Sequence, residues 1–446
     1  MFTRFLFKPH ESIKVILAIL LSVIIITSFS SCAIKNNSEQ NHLVYYTLND
    51  EDSLSWIIEK YNKYCINSNN PSFQVEIVKF DSEQEMSTQI STEIMAGSGP
   101  DIISLSQKLP FEKLIESRSL MNIYDLLKDD NFSNAINLDD YNVNILNAGV
   151  YDNGLYIVPL FYGVDVLVST EELKNFDIKE NNGFSLTYSN FSDVFENYFL
   201  NDEGYSFVSN ELSDFLWFDY PMQLFCRFLN SYVDFENKAV YFDTDEFKDN
   251  LDVMMQMLMI SQKNNTNELF DGLYINRSFP LMAGSYSYYQ SINETPVVFR
   301  GLTKSKDVNS AHIQVGYAIN NNTQLKEQAL AFIKYTLSDE IQEIGATASG
   351  SLSFPVNISV YDNAKLVAGS RTDDNNKIIG IDNDFMKAYI NIADNVNACT
   401  LYRDVSHSYY NDNVIGDIVD DYINKGISKE KFIRQLSAAT EIYLTE

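Results

Sequence analysis

Leu43-Val-Tyr-Tyr-Thr-Leu48 is a run of β-formers, and it stops in Asn49-Asp50-Glu51-Asp52-Ser53, a cluster of helix-capping residues. The run reads as a buried strand. Leu54, Ile57, Ile58, Tyr61, Tyr64 and Cys65 then recur at helical spacing and make one apolar face. Phe73, Val75 and Ile77 alternate, as in a second strand. Met86, Ile90 and Ile94 mark a second helix that stops at Gly97-Ser98-Gly99-Pro100, and residues 101–105 read as a third strand. Strand, helix, strand, helix, strand predicts an α/β fold whose parallel sheet is covered on both faces.

Upstream of this stretch the chain changes character. Arg4, Lys8 and Lys14 make a basic start, Val15 to Thr27 are almost all apolar, and Ser28-Phe29-Ser30-Ser31 leads into Cys32. That order describes a secretory signal peptide over residues 1–31. The segment also resembles a bacterial lipobox, with Phe29 where that pattern has Leu. The resemblance implies that Cys32 is acylated and becomes the first mature residue. An uncleaved anchor is the alternative, but the apolar run is shorter than the roughly 20 residues a spanning helix needs. Residues 32–42 carry no periodicity and read as a polar, lipidated tether.

About four hundred residues follow, room for two domains. A hydrophobic content of 45% supplies a large core and excludes bulk disorder. The formal charge is −29, and loss of residues 1–31 removes more bases than acids. A surface this acidic repels nucleic acid and anionic lipid, so neither is expected as a partner, and the membrane is reached through the lipid anchor. Cys65, Cys226 and Cys399 are widely separated, without metal-ligand spacing. Neither a disulfide nor a metal is expected.

Beyond the first strands, residues 156–168 form an extended apolar stretch interrupted by Pro159 and Gly163, as a strand passing between two domains would. Residues 313–319 form another, ahead of a helix built on Leu325, Ala329, Ile333, Leu337 and Ile341. A last helix is capped by Ser428 and carries Phe432, Leu436 and Tyr443. No internal repeat is visible.

Several segments together resemble the family 1 extracellular solute-binding proteins, the sugar-type receptors of ABC importers that include the maltose-binding proteins. They are Ala96-Gly97-Ser-Gly99-Pro100-Asp101 between helix and strand, Gly154-Leu-Tyr156-Ile-Val-Pro159, Met282-Ala-Gly284-Ser-Tyr286, and the run from Gly316 to Pro355. The match is collinear from about residue 43 to 446. It implies a two-lobe periplasmic-binding-protein-like fold (type II) with mainly parallel sheets and a hinge. Lobe one would take residues 43–162 with 319–365, and lobe two residues 163–318 with 366–446. It further implies a monomeric receptor on the outer face of a bacterial cell membrane. The receptor would hold a small solute in the interlobe cleft and pass it to ABC permease subunits.

Sugar recognition needs flat rings against C–H faces and amides or carboxylates against hydroxyls. With 28 Tyr and only two Trp, tyrosine is the expected stacking residue. Asn49 and Asp50 sit where the first strand ends, and either bind ligand or cap the helix. Tyr162 follows the hinge proline and is expected at the cleft rather than in the core. Trp217 and Asp219 form an aromatic-acid cluster that suits a sugar platform and equally a buried helix face. By the resemblance, Tyr286 occupies the family's stacking position, with Tyr289 its neighbour; Arg403 reads better as an ion-pair partner. Gly97-Ser98-Gly99 ends a helix and lacks a P-loop lysine, so it is a turn. His312 and His407 join no nucleophile or metal motif. No catalytic residue and no cofactor is expected, and the chain reads as a binding protein. The alternatives are an exported carbohydrate-active enzyme using two carboxylates, or a receptor of the same fold that feeds a sensor.

Overall fold

The computed structural model describes residues 42–48, 54–107, 109–128, 136–164, 166–169, 225–226, 228–235, 237–263, 274–276, 297–300, 308–347, 354–367, 371–372, 378–379, 384–401 and 410–445. Strand β1, Leu43–Leu48, lies inside a sheet between β2, Val75–Phe80, and β3, Ile102–Ser104, and runs parallel to both. Burial on both sides accounts for its continuous apolar run. Helix α1, Ser55–Asn67, buries Ile57, Ile58, Tyr61 and Cys65 along the face read from the spacing, while Tyr64 stays half exposed. Helix α2, Glu83–Met95, starts where the Ser82 side chain accepts the Glu85 N–H at 3.2 Å, with Glu83 and Glu85 favouring its positive end.

The turn after α2 explains its glycines. Gly97 and Gly99 adopt φ of +77° and +100°, a region that L side chains rarely enter. Asp101 Oδ2 then accepts the Val44 N–H at 2.8 Å, fastening the turn to β1. Asn320 closes it from the far side of the chain, its Nδ2 donating to the Ser98 and Pro100 carbonyls at 2.9 and 3.1 Å.

Four further strands complete a seven-stranded sheet: β4, Ile157–Val164; β5, Ser310–Ile319; β6, Phe354–Pro355; and β7, Ala398–Thr400. The order is β6-β4-β5-β3-β1-β2, with β7 beside β5. β5 is antiparallel to β3 and β4, β6 is antiparallel to β4, and β7 is parallel to β5. The sheet is therefore mixed, with parallel pairing among β1–β3 and between β5 and β7 and antiparallel pairing elsewhere. Apolar content marked β4 and β5 as strands, but it carries no information on direction. Beyond β4 the chain enters a separate three-stranded antiparallel sheet, in which Val166–Ser169 pairs with Tyr274–Asn276 and Val297–Arg300. The extended stretch at 156–168 thus links two sheets.

The single helix read over 325–341 is two, α4, Lys326–Thr336, and α5, Asp339–Thr347. Ser338, whose hydroxyl donates to the Tyr335 carbonyl at 2.7 Å, sits at the break.

Buried apolar side chains form two clusters. The first surrounds the large sheet and takes in Ala311, Ile313, Tyr317, Tyr389, Ile392 and Leu401, positions that the sequence reading groups with lobe two. The second joins Phe228 and the helix Asp245–Lys263 to Gly416–Ile423 and the C-terminal helix Lys429–Thr445, through residues such as Phe247, Phe432 and Leu436. Ser428 caps that last helix, accepting the Lys431 N–H at 3.3 Å. Cys65 is a buried free thiol.

Candidate functional site

The chain leaves β1 for β2 on one side and then returns to β3 on the other. Connections that diverge in this way open a crevice at the carboxyl ends of the strands, where open α/β sheets bind ligands. The end of β1 supplies Thr47 and Leu48, and the end of β3 supplies Ser104, Ser106 and Gln107. The Ser104 and Ser106 hydroxyls lie 2.8 Å apart, and the Ser106 N–H donates back to Ser104 Oγ at 3.2 Å. Gln107 reaches across to β1, where its Nε2 donates to the Tyr46 carbonyl.

That bond orients the amide and leaves its oxygen unused. Among the described residues, neither Gln107 Oε1 nor Thr47 Oγ1 has a hydrogen-bond partner, and both residues are 1% exposed. An unmade hydrogen bond on a buried polar atom costs about 1–3 kcal/mol. An acceptor at the end of β3 and a hydroxyl at the end of β1 suit a solute that carries hydroxyl groups. Sequence reading stopped one strand short of this pair. The crevice argument that singled out Asn49 and Asp50 after β1 applies equally to Ser106 and Gln107 after β3.

Tyr162 is corrected to a core residue. All eight residues of β4 are buried, and the Tyr162 ring stacks on Phe354 with centroids 5.5 Å apart. Burial pushes its phenol far above the ordinary tyrosine range. Packed on Phe354 within that wholly buried strand, the ring belongs to the core. Asn49, Asp50, Trp217, Asp219, Tyr286, Tyr289 and Arg403 lie outside the described residues, as do Cys32 and the rest of the leader and tether up to residue 41. His312 is buried in β5, and His407 also lies outside. Among the described residues no three His, Cys, Asp or Glu side chains group as metal ligands. A depression of about 610 Å³ runs along α2 from Ser82 to Glu93, and among the described residues one helix face and its cap line it.

The family model for bacterial extracellular solute-binding proteins matches residues 56–371. The chain belongs to that family. No curated protein sequence matches this solute-binding protein significantly. Among solved structures, the sugar-binding protein MalE of Xanthomonas citri superposes with a TM-score of 0.60 at 11% identity, over 91% of this chain and 97% of that one. The ABC substrate-binding protein of Listeria monocytogenes in complex with cycloalternan gives 0.55 at 11% identity, over 91% and 99%. Maltose-bound MalE3 of T. maritima gives 0.53 at 16% identity, over 90% and 99%. At these identities the likeness is one of fold, and it is the periplasmic-binding fold of MalE. The family is extracytoplasmic, and no described helix of this solute-binding protein is long and apolar enough to cross a membrane.

Proposed function

We propose that this solute-binding protein is the lipid-anchored receptor of an ABC importer, and that it holds a neutral, hydroxyl-rich solute of the sugar or oligosaccharide class. The observation that carries the ligand class is the pair of buried, unmatched groups, Gln107 Oε1 and Thr47 Oγ1, at the crevice between β1 and β3. The sugar-binding and sugar-bound relatives of the same fold support it. So does the acidic chain, which disfavours anionic solutes.

In this reading the two hydrophobic clusters are the cores of two lobes that close on the solute by hinge bending at the chain crossings. Asn49 and Asp50 would add hydrogen-bonding groups beside Gln107, with Trp217, Asp219, Tyr286 and Tyr289 facing them from the second lobe. The anchor is an acylated Cys32 on the outer face of a bacterial membrane, and the acceptor of the solute is a permease. A solute-binding family and sugar-binding fold relatives favour a receptor over an enzyme. Thermal-shift screening of the mature protein against neutral sugars tests the reading, because a ligand selective for the folded state raises the melting temperature. A rise with at least one sugar is expected. Cleavage of a sugar bond, or a rise only with peptides or anions, would reject it.

A further inference from the structure

Helix α3, Phe111–Glu116, begins just beyond Gln107, at the crevice end of β3. Phe111 is buried in the first hydrophobic cluster, and Leu114 and Ile115 pack against it. Lys113 and Glu116, three positions apart, share another side of the helix and lie 3.9 Å from each other. Both reach elements of the second cluster. Lys113 Nζ stands 5.2 Å from the centroid of the Tyr443 ring, on the C-terminal helix. Glu116 Oε1 pairs at 3.2 Å with Lys238 Nζ, on the turn between Val233–Asp234 and Ala239–Val240. The series Tyr443, Lys113, Glu116, Lys238 therefore passes twice between the clusters.

The turn bears a second, independent sign. Lys238 has a φ of +56°, in the left-handed region where glycine and asparagine are the ordinary residues. Asp234 braces the turn from within, its carboxylate accepting the Asn237 N–H and Nδ2 at 2.9 Å each. Nothing in that geometry asks for a lysine, and the lysine that stands there directs its charge at Glu116. A backbone held in a sparsely populated region at such a contact points to a use for the side chain.

We propose that these four residues form a charge clasp on the lip of the crevice, which ties the second cluster to α3 and favours the closed arrangement. The inference rests on the reading of the two clusters as lobes that close on a solute. Opening parts Lys238 and Tyr443 from α3 and returns the charges to water; closing re-forms both contacts. The Glu116 and Lys238 side chains are 50% and 47% exposed, so solvent screens their attraction. A pair so placed shifts a balance between two arrangements by roughly two- to five-fold and does not lock it. That suits a receptor that has to release its solute as well as hold it. It also makes the clasp sensitive to surrounding salt, because screening shortens from about 10 Å at 0.1 M to about 3 Å at 1 M.

The ligand-free mature protein tests the clasp. A carbodiimide joins a carboxylate and an amine in direct contact as an amide. Peptide mass spectrometry should find Glu116 joined to Lys238, in several-fold lower yield at about 1 M salt than at about 0.1 M. Small-angle scattering then compares the wild type with Lys238→Asn, which suits a left-handed turn but carries no charge, and with Lys238→Arg, which keeps the charge. The radius of gyration should rise in Lys238→Asn and hold the wild-type value in Lys238→Arg. Absence of the Glu116–Lys238 product, or one radius for all three proteins, would overturn the clasp. Neither measurement uses a solute, so a failed clasp leaves the sugar reading standing, and a sugar panel without a response leaves the clasp standing.

Discussion

Gln107 and Tyr162 show what separates a site residue from a core residue in this chain. Both are 1% exposed, but the Tyr162 ring is matched by Phe354, whereas Gln107 spends its amide N–H on Tyr46 and keeps an idle oxygen. Gln107→Ala takes the donor from the Tyr46 carbonyl as it removes the idle oxygen, so it should lower stability by no more than about 1–3 kcal/mol and cost on the order of 1–3 kcal/mol of solute affinity, read by calorimetry. Tyr162→Ala should lose more stability, roughly 3–5 kcal/mol of unfolding free energy in denaturant titration through the cavity it leaves. Tyr286→Ala carries the stacking claim, and it should weaken sugar binding by about 1–3 kcal/mol with the fold intact. Sequence reading could not separate Tyr162 from a cleft tyrosine, because adjacency to a hinge proline says nothing about what covers the ring. Nor could it find Gln107, whose role depends on a carbonyl 61 positions away.

At the level of elements the first hundred residues were readable because each rests on local rules. The α1 face and the glycine turn follow from spacing and positive φ, and both appear where the pattern puts them. Reading failed where the answer was non-local. The direction of β5 depends on a return from the other half of the chain, and the break between α4 and α5 sits inside an unbroken apolar periodicity. The glycine turn offers a check on its own account. In Asn320→Ala the Ser98 and Pro100 carbonyls lose their donor, and the loss should be about 1–3 kcal/mol of stability by denaturant melt. An unchanged midpoint would mean that the turn holds without its clamp.

For the whole molecule, family membership rests on a match across residues 56–371, and the proposed place for a solute is the end of the mixed sheet between β1 and β3. In the proposed reading residues 1–31 are a leader that adds the address. Cys32→Ala should release soluble protein or leave unprocessed precursor, as fractionation of expressing cells would show; a variant still acylated and anchored would exclude Cys32 as the lipidation site. The helix Phe111–Glu116 belongs to the first cluster and meets the C-terminal helix of the second through Lys113 and Tyr443. The claim on which the rest depends is that the crevice takes a neutral, hydroxyl-rich solute. Calorimetry of the mature protein and of Gln107→Ala against a panel of neutral mono- and oligosaccharides tests it most directly. The account predicts saturable binding of at least one sugar by the wild type and at least several-fold weaker binding of that sugar by the variant. No heat from any sugar, alongside tight binding of a peptide or an anion, would contradict it.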